Sequence, residues 1–440
     1  MAARLSSRDA GFRVAFDALV NARREQSSDV EADVVRIIAE VRAKGDDALL
    51  AFTAKFDRLQ LTADRLAISA DEMAAAEKAC PADALAALDC AAARIEDYHR
   101  RQLPEDVEYR DGDGITLGWR WRPIAAAGVY VPGGRAAYPS SVLMNIIPAR
   151  IAGVSRIVMT VPTPGGEVNP LVLAAAKRAG VTEAYRVGGA QAVAALAFGT
   201  ESIRAVDKIT GPGNAWVAAA KRQVFGVVGI DMVAGPSEIL VVADAGNDPD
   251  WIAIDLLSQA EHDASTQSIL ITDDGAFADA VEEAVASRLK TLPRAAIAGE
   301  SWKVFGAIIV VDDLLREAPE LIDAIAPEHL ELAVDDPRPL ADAVRNAGAI
   351  FMGRFTPEAV GDYVAGPNHV LPTNRSARFS SGLGVGDFLK RTSLIACDAD
   401  GLAAIGPAAV TLADAEGLDA HALSVAIRLN MPTGRGSRGT

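Results

Sequence analysis

Apolar side chains recur at helical spacing in the first hundred residues. Two runs between residues 10 and 101 each place them on one helical face: Val34, Ile37, Ile38 and Val41, then Leu85, Leu88, Ala92 and Ile95. A spacing of three and four residues is typical of amphipathic helices packed on a core. The pattern predicts a helical N-terminal region.

The pattern changes near residue 115 to short β-rich runs that alternate with Ala-rich helical runs. Arg156–Val161 is one such strand, followed by a helical pattern over Asn169–Gly180. This alternation favours parallel sheets built from βαβ units. It restarts after Pro236, with strands predicted near Ile239–Val242, Ile269–Thr272, Ala307–Val311 and Ala349–Met352. Two α/β domains are therefore predicted.

Beyond Pro372 the strand signal fades into a Gly-rich segment. A helix is predicted over His421–Asn430, and the tail Thr433–Thr440 is expected to be disordered. Gly382, Gly384 and Gly386 form a GxGxG run without a strand before it, which we interpret as a hinge.

Length and composition narrow the class of protein. A chain of 440 residues, half of them hydrophobic, can bury a large core in two or three domains. The net charge of −16 would repel nucleic-acid backbones and acidic membrane surfaces. We therefore expect neither nucleic acid nor a membrane as a partner.

Cysteine usage and the N-terminal residues indicate a reducing compartment. Cys80, Cys90 and Cys397 are the only cysteines and form no CxxC pair, so neither a disulfide framework nor a thiolate zinc site is expected. No export signal is visible in the first 25 residues, and no uncharged apolar run reaches 18 residues. A soluble, cytoplasmic protein is expected.

Histidine is scarce, and four of the five histidines lie in the second half of the chain. Gln259 and His262 are three residues apart near the end of a predicted helix, so an amide oxygen and an imidazole could share one cation. The spacing alone favours a simpler alternative, a histidine stabilised by the helix dipole. The fifth histidine, His99, continues an apolar helical face and is interpreted as a partly buried packing residue.

Glu328 and His329 form the second polar cluster. Pro327 disfavours helix at Ala326, which predicts a loop entering a strand. An adjacent carboxylate and imidazole could serve as an acid/base pair near neutral pH. Two polar residues that cap a strand are an equal alternative.

Two more clusters follow. The loop Gly361–His369 contains Asp362, a possible oxygen ligand, and a further imidazole, His369. A polar turn is its simplest interpretation. Residues 416–421 open the last predicted helix, with Asp419 as its expected N-cap, and alone would indicate a capped surface helix.

Three glycine-rich segments could hold a dinucleotide, although none matches GxGxxG. Gly211–Asn214 comes closest, because it follows a short run at Lys208–Thr210 and precedes a predicted helix over Ala215–Phe225. The free N–H groups of that helix could receive a pyrophosphate. Gly128–Gly134 and Val187–Gln191 are similar loops. From these residues alone the prediction is a metal-assisted enzyme whose reaction stays open.

Taken together, these segments resemble the histidinol dehydrogenase family from about Arg120 to Asn430. Eight stretches match in the family's order: Gly128–Gly134, Val187–Ala192, Gly211–Asn214, Gly229–Glu238, Ala260–Asp263, Ala326–Leu330, Gly366–Pro372 and Glu416–His421. Local departures are Thr373–Ser376, where a small glycine-containing turn is usual, and Gly384 and Gly386, where bulkier residues are common.

The resemblance implies an α/β homodimer whose protomers each have two incomplete Rossmann-like domains, one inserted in the other, with helical terminal regions. The implied boundaries are an N-terminal tail 1–23, a discontinuous domain 24–129 and 239–383 carrying zinc and catalytic residues, an inserted NAD-binding domain 130–238, and a swapped C-terminal tail 384–440.

The resemblance also implies the site residues and the cofactors, NAD and one zinc ion per subunit. NAD would contact Tyr130, Gln191 and Asn214. Zinc would be held by Gln259, His262, Asp362 and, across the dimer interface, His421. Substrate would meet these four ligands together with Ser237, His329, His369 and Glu416, the last also supplied across the interface.

The implied reaction is the last step of histidine biosynthesis, oxidation of L-histidinol through L-histidinal to L-histidine with two NAD. His329 would take the hydroxyl proton, and Glu328 would activate the water that adds to the aldehyde. None of the three cysteines lies in a matched segment, so a thiol-dependent aldehyde oxidation has no evident nucleophile.

Two rival hypotheses remain. One is a zinc and NAD dehydrogenase of the same fold that acts on another small polyol or a sulfonated diol; Glu416 argues against it, because a carboxylate suits the amino group of histidinol. The other is a non-catalytic zinc- or nucleotide-binding protein, against which the adjacent Glu328 and His329 argue.

Overall fold

A computed structural model describes residues 2–22, 30–133 and 138–431 of the chain. The described residues within 1–102 and 124–388 form one compact unit, and those within 103–123 and 389–440 form a second. The tail predicted over Thr433–Thr440 lies outside the described residues. The predicted domain boundaries stay a prediction.

The described strands and helices alternate over most of the chain. The strands are β1 (Ala3–Ser6), β2 (Val107–Arg110), β3 (Thr116–Pro123), β4 (Ala126–Tyr130), β5 (Arg156–Thr160), β6 (Glu183–Tyr185), β7 (Lys208–Thr210), β8 (Gly229–Ile230), β9 (Glu238–Ala243), β10 (Gln267–Thr272), β11 (Ala307–Val310), β12 (His329–Ala333), β13 (Ala349–Met352) and β14 (Leu389–Ala396). The helices are α1 (Phe12–Val20), α2 (Val30–Lys44), α3 (Asp46–Phe56), α4 (Ala70–Ala79), α5 (Ala82–Arg100), α6 (Pro139–Ala152), α7 (Pro170–Ala179), α8 (Gly189–Phe198), α9 (Ala215–Val224), α10 (Pro249–Ala260), α11 (Gly275–Arg288), α12 (Ala295–Phe305), α13 (Leu314–Ile325), α14 (Arg338–Ala343), α15 (Glu358–Tyr363), α16 (Ala399–Ala415) and α17 (Asp419–Ala426).

The predicted helical N-terminal region is confirmed by α1 to α5. The apolar face of α2 is buried throughout, and this helix packs on α8 and α9 beside the sheet that contains β4. His99, at the end of α5, is fully buried rather than partly buried, and its Nδ1 donates a hydrogen bond to the Ile95 carbonyl at 2.7 Å. This imidazole is a buried core residue, and its Nε2 has no hydrogen-bond partner among the described residues.

Two parallel sheets dominate the first unit. The order of the smaller is β6-β5-β4-β7-β8, and the order of the larger is β1-β11-β10-β9-β12-β13. The residues of β9 alternate between two apolar cores: Leu240 and Val242 contribute to one, Ile239 and Val241 to the other. A strand that is covered on both faces has a continuous run of apolar residues, and this run made β9 predictable from the sequence. The predicted alternation and its restart after Pro236 are confirmed.

The second unit was predicted poorly. Its sheet, β14-β3-β2, is antiparallel, and β14 lies where the strand signal was expected to fade. Most β14 side chains are exposed, so no apolar alternation reveals the strand. The sequence pattern also did not locate helix α16, because Gly401, Gly406 and Pro407 interrupt its Ala-rich sequence, although the resemblance implied a helical C-terminal region.

Two details near the C-terminus refine the predictions. The predicted His421–Asn430 helix is α17 followed by a short 3₁₀ turn, Ile427–Leu429. Asp419 is its first residue and Leu418 occupies the N-cap position, so the prediction of Asp419 as the cap is wrong. Within the described residues, no helix combines the length and apolar character needed to cross a membrane.

Candidate active site

A cavity of about 1020 Å³ opens in the first unit. It lies beyond the carboxyl ends of β4 and β7 and the amino ends of β9 and β12. The predicted site residues that line it are Tyr130, Asn214, Ser237, Gln259, His262, Glu328, His329, Asp362 and His369. The fold therefore gathers residues from distant segments around one space.

Glu328 and His329 stand at the start of β12, as the proline at 327 predicted. Helix α13 ends at Ile325, and the next residue, Ala326, has a left-handed φ of 48° that turns the chain sharply toward the strand. Because β12 pairs with β9, His329 lies opposite Ile239, and Glu328 lies beside Glu238. Glu328 and His329 are 6% and 3% exposed.

Glu238 holds this pair by reciprocal hydrogen bonds. The Glu238 N–H donates to Glu328 Oε2 at 2.9 Å, and the Glu328 N–H donates to Glu238 Oε2 at 3.3 Å. Burial raises the pKa of Glu328 well above its ordinary value, although the bond from the Glu238 N–H opposes the shift. Glu238 was assigned no role from the sequence, because nothing local shows that a strand-initial glutamate faces inward.

His329 has a defined tautomer. Its Nδ1 lies 2.9 Å from the Glu238 carbonyl oxygen, which can only accept, so Nδ1 carries the proton. Nε2 is then an acceptor, and it has no hydrogen-bond partner among the described residues. Burial lowers the pKa of His329, which favours the neutral imidazole, the form that can accept a proton at Nε2.

Gln259 lies in the last turn of α10, and His262 lies in the turn just beyond the helix end. Both are near the helix end as predicted, but only Gln259 is on the helix. Gln259 is 1% exposed, and its Oε1 is buried without a hydrogen-bond donor in the described structure. Leaving a buried amide oxygen unpaired is unfavourable, and a cation would offset the loss. The unpaired oxygen of Gln259 therefore fits a cation ligand, whereas the helix-dipole interpretation of His262 does not account for it.

Asp362 and Glu358 lie on α15 beside His329. His329 Nε2 is 3.8 Å from Asp362 Oδ1 and 3.7 Å from Glu358 Oε1. These three side chains can offer ligand atoms within 4.8 Å of one another. Burial raises the pKa of Glu358 to about 9, and the Asp362 charge adds to the shift. Glu358 was missed, because a glutamate in a first helical turn is usually a solvated residue near the dipole.

His369 supports Asp362 from the other side. The His369 Nδ1–H donates to the Asp362 carbonyl at 2.9 Å, which leaves Nε2 to accept from the Ser141 hydroxyl at 3.2 Å. Both ring nitrogens are thus engaged with the protein. Burial lowers the pKa of His369, which favours this neutral form.

The candidate dinucleotide residues lie at the smaller sheet. Tyr130 ends β4, and its hydroxyl accepts the Gly189 N–H at 3.1 Å while burial raises its pKa to about 12. Asn214 caps α9 by accepting from the N–H groups of Trp216 and Val217. Gln191 lies on α8, 1% exposed, outside the cavity lining, with a buried Oε1 that lacks a partner among described residues.

Glu416 and His421 belong to the second unit, at the C-terminal end of α16 and on α17. Both are exposed. The first unit alone therefore assembles Gln259, His262 and Asp362 but not the fourth predicted ligand, His421.

The turn that departs from the family pattern contacts the site. Asn374 and Arg375 adopt left-handed φ values of 54° and 61°, which a glycine-containing turn would accommodate without strain. The Asn374 N–H donates to Glu238 Oε1 at 3.0 Å. Downstream, the predicted hinge contains a 3₁₀ turn in which the Gly384 N–H donates to Asp387 at 2.9 Å.

The sequence is similar to known proteins over nearly its whole length. The family model described as histidinol dehydrogenase matches residues 20–429. Histidinol dehydrogenase of Rhodospirillum rubrum is 64% identical over 98% of this chain and 99% of its own length. That of Ruegeria pomeroyi is 63% identical, with the same coverage.

A solved structure agrees with the fold. The crystal structure of histidinol dehydrogenase from Elizabethkingia anophelis superposes with a TM-score of 0.93 at 36% identity, covering 98% of each chain. This agreement confirms the predicted α/β fold class with Rossmann-like sheets and helical terminal regions.

Proposed function

Because this chain belongs to the histidinol dehydrogenase family, whose members are NAD-dependent oxidoreductases, we propose that it oxidises L-histidinol through L-histidinal to L-histidine with two NAD. The observation that carries the proposal is the buried His329 in the cavity wall: its Nδ1 is held by the Glu238 carbonyl, its Nε2 has no hydrogen-bond partner among the described residues, and the adjacent Glu328 lines the same cavity. The test is NADH formation with L-histidinol compared with diols that lack the amino group. The structure offers nothing that favours another polyol or a sulfonated diol.

We propose that one zinc ion per subunit is held by Gln259, His262, Asp362 and His421. The unpartnered buried Oε1 of Gln259 and the carboxylate of Asp362 fit a cation. A ligand set of nitrogen and oxygen without sulfur also suits a metal that accepts substrate nitrogens. When bound, zinc supplies a Lewis acid that orients the substrate.

NAD is proposed to bind at Tyr130, Gln191 and Asn214. Gln191 Oε1 is buried without a partner in the described residues, and Gly211 brings the backbone after β7 against Tyr130, leaving no room for a Cβ there. When bound, NAD supplies the hydride acceptor for each oxidation.

The chain's own residues move the protons. His329 Nε2 takes the hydroxyl proton as the carbinol C–H bond breaks, and the Glu238 carbonyl stabilises the resulting imidazolium through Nδ1–H. Glu328 then takes a proton from the water whose oxygen adds to the aldehyde carbon, and the His329 imidazolium returns its proton to the carbonyl oxygen, giving the hydrate and a neutral His329 again. His329 takes a hydroxyl proton from the hydrate as the remaining C–H bond breaks and its hydride leaves for NAD, and the carboxylic acid formed loses its proton to give the carboxylate. No cysteine is among the residues that line the described cavity, so water is the nucleophile.

Substrate recognition is proposed to involve Ser237 and Glu416, the carboxylate pairing with the amino group of histidinol. His369 lies in the cavity wall, but its nitrogens are engaged by Ser141 and Asp362. We therefore assign His369 to holding Asp362 in place rather than to a direct hydrogen bond with substrate.

Glu328→Gln should separate the two oxidations. Oxidation of histidinal should slow by about a hundredfold or more, while oxidation of histidinol slows less than about tenfold, because only the second oxidation needs activated water. The burial that raises the pKa of Glu328 also makes its carboxylate a stronger base toward water. Single-turnover NADH formation from each substrate measures this. Equal slowing of both would show that Glu328 only orients His329.

We also propose a cytoplasmic homodimer, without nucleic-acid or membrane partners, in which each zinc takes His421 from the other chain. Co-expressed His329→Asn and His421→Asn chains should then complement each other. Random pairing makes about half the dimers mixed, each with one intact site of two, so about a quarter of wild-type activity should return.

The control is each variant expressed alone, which should be inactive. Mixed dimers, isolated through two different affinity tags, should show the activity. If they are no more active than the separate variants, each site is built within one chain.

A further inference from the structure

Lys221 is a lysine buried almost completely within the first unit. Its side chain on α9 is 2% exposed and pairs with the side chain of Asp231, which is 1% exposed. Burying an ammonium group is strongly unfavourable unless it is paired and fully hydrogen-bonded. Neither residue lines the cavity, so the mechanism above does not account for them.

Lys221 and Asp231 each form a hydrogen bond with the backbone of Gly211. The Lys221 ammonium donates to the Gly211 carbonyl at 3.0 Å, and the Gly211 N–H donates to Asp231 Oδ2 at 2.8 Å. Asp231 is itself fixed, because its other oxygen accepts the Met232 N–H at 2.6 Å. Both hydrogen-bonding groups of Gly211 are therefore satisfied by opposite charges.

Gly211 occupies a position that needs such support. Its φ is 110°, and a Cβ there would lie 2.1 Å from the Tyr130 carbonyl oxygen. The loop Gly211–Asn214 leaves β7 at this contact and ends where Asn214 caps α9. Lys221 follows Asn214 by seven residues, two turns along the same face of that helix. The pair thus ties the start of the loop, which itself packs on Tyr130, to α9 through Lys221 and to the end of β8 through Asp231.

We propose that Lys221 and Asp231 are positioning residues that hold the Gly211–Asn214 loop against Tyr130 in the geometry that binds NAD. The proposal rests on the proposed function, since it takes Tyr130 and Asn214 as dinucleotide contacts. A purely structural pair would change stability and leave NAD affinity as it is.

The test removes both charges together, in Lys221→Met/Asp231→Leu. Replacing a buried ion pair as a unit avoids leaving one unpaired charge, which is what makes single substitutions unfold proteins. The matched control is Arg156→Met/Glu183→Leu, an ion pair of the same sheet that does not contact the loop. NADH binding is measured by calorimetry, thermal stability by Tm, and KM for NAD and for L-histidinol by NADH formation.

The double variant should bind NADH about tenfold more weakly, because the loop loses both hydrogen bonds that hold Gly211. KM for NAD should rise in proportion and KM for histidinol should stay constant. Lys221→Gln/Asp231→Asn keeps a donor and an acceptor for Gly211 and should restore affinity to within about twofold of wild type. The control pair should leave NADH affinity unchanged.

A folded Lys221→Met/Asp231→Leu protein that binds NADH as wild type does would overturn the proposal. If that variant does not fold, Lys221→Met/Asp231→Asn decides by the same measurement, with a loss of about threefold or more expected because the Gly211 carbonyl alone loses its donor. Asn214→Ala separates the two claims: wild-type affinity in that variant would refute the proposed NAD site itself, whereas weakened binding there and unchanged binding in the pair variant would refute only the role of the pair.

Discussion

Replacement of His329 by asparagine is expected to lower kcat for L-histidinol by about a hundred- to ten-thousandfold, the contribution of a positioned general base. The amide N–H of asparagine can still donate a hydrogen bond to the Glu238 carbonyl, but asparagine has no basic nitrogen in place of Nε2. That nitrogen is unpartnered among the described residues and stays unprotonated because burial lowers the pKa of His329. Steady-state NADH formation at saturating NAD measures the loss.

His99→Asn is the matched control, since it removes a buried imidazole outside the cavity. It should lower Tm while leaving kcat within about threefold of wild type, because core substitutions act on stability rather than on the reacting groups. A loss under tenfold in His329→Asn would mean that another group takes the proton.

Removal of divalent metal is expected to lower activity by more than about a hundredfold, because substrate would lose the ion that orients it. Added zinc, or another borderline divalent ion, should restore activity, since a set of imidazole, amide and carboxylate ligands has no redox requirement. Activity is to be followed together with the metal content per subunit.

Asp362→Asn provides the matching variant, which should retain less zinc and need a higher zinc concentration for activity. Its carboxylate lies beside His329 in the group of candidate ligands. A preparation shown to be free of metal that keeps full activity would remove zinc from the mechanism.

The parts of the fold that the sequence predicts are those whose burial leaves a local pattern. Strand β9 is apolar at five of its six positions because both faces are covered, and the spacing of α2 records the single face it buries. Strand β14 is mostly exposed and α16 contains Gly and Pro, so neither leaves that pattern. Their existence depends on pairing and packing with distant segments.

The residues of the site were likewise predictable only where local spacing reveals them. Spacing alone placed Gln259 and His262 on one helical face but could not distinguish a metal ligand from a residue near a helix dipole. The unpartnered Oε1 of Gln259 is visible only once the surrounding residues are in place. The contacts of Glu238 and Lys221 are likewise tertiary, because their partners Glu328 and Gly211 lie on other elements. Family resemblance supplied the roles that local chemistry left open.

The stoichiometry of NADH shows whether L-histidinol is oxidised twice in succession. Limiting L-histidinol is incubated with the enzyme and excess NAD until absorbance is constant, and the products are separated and identified. We expect about two NADH for each histidinol consumed, with L-histidine as the product, since each oxidation delivers one hydride. One NADH per histidinol with accumulated histidinal, or no NADH from histidinol while a diol lacking the amino group reacts, would contradict it.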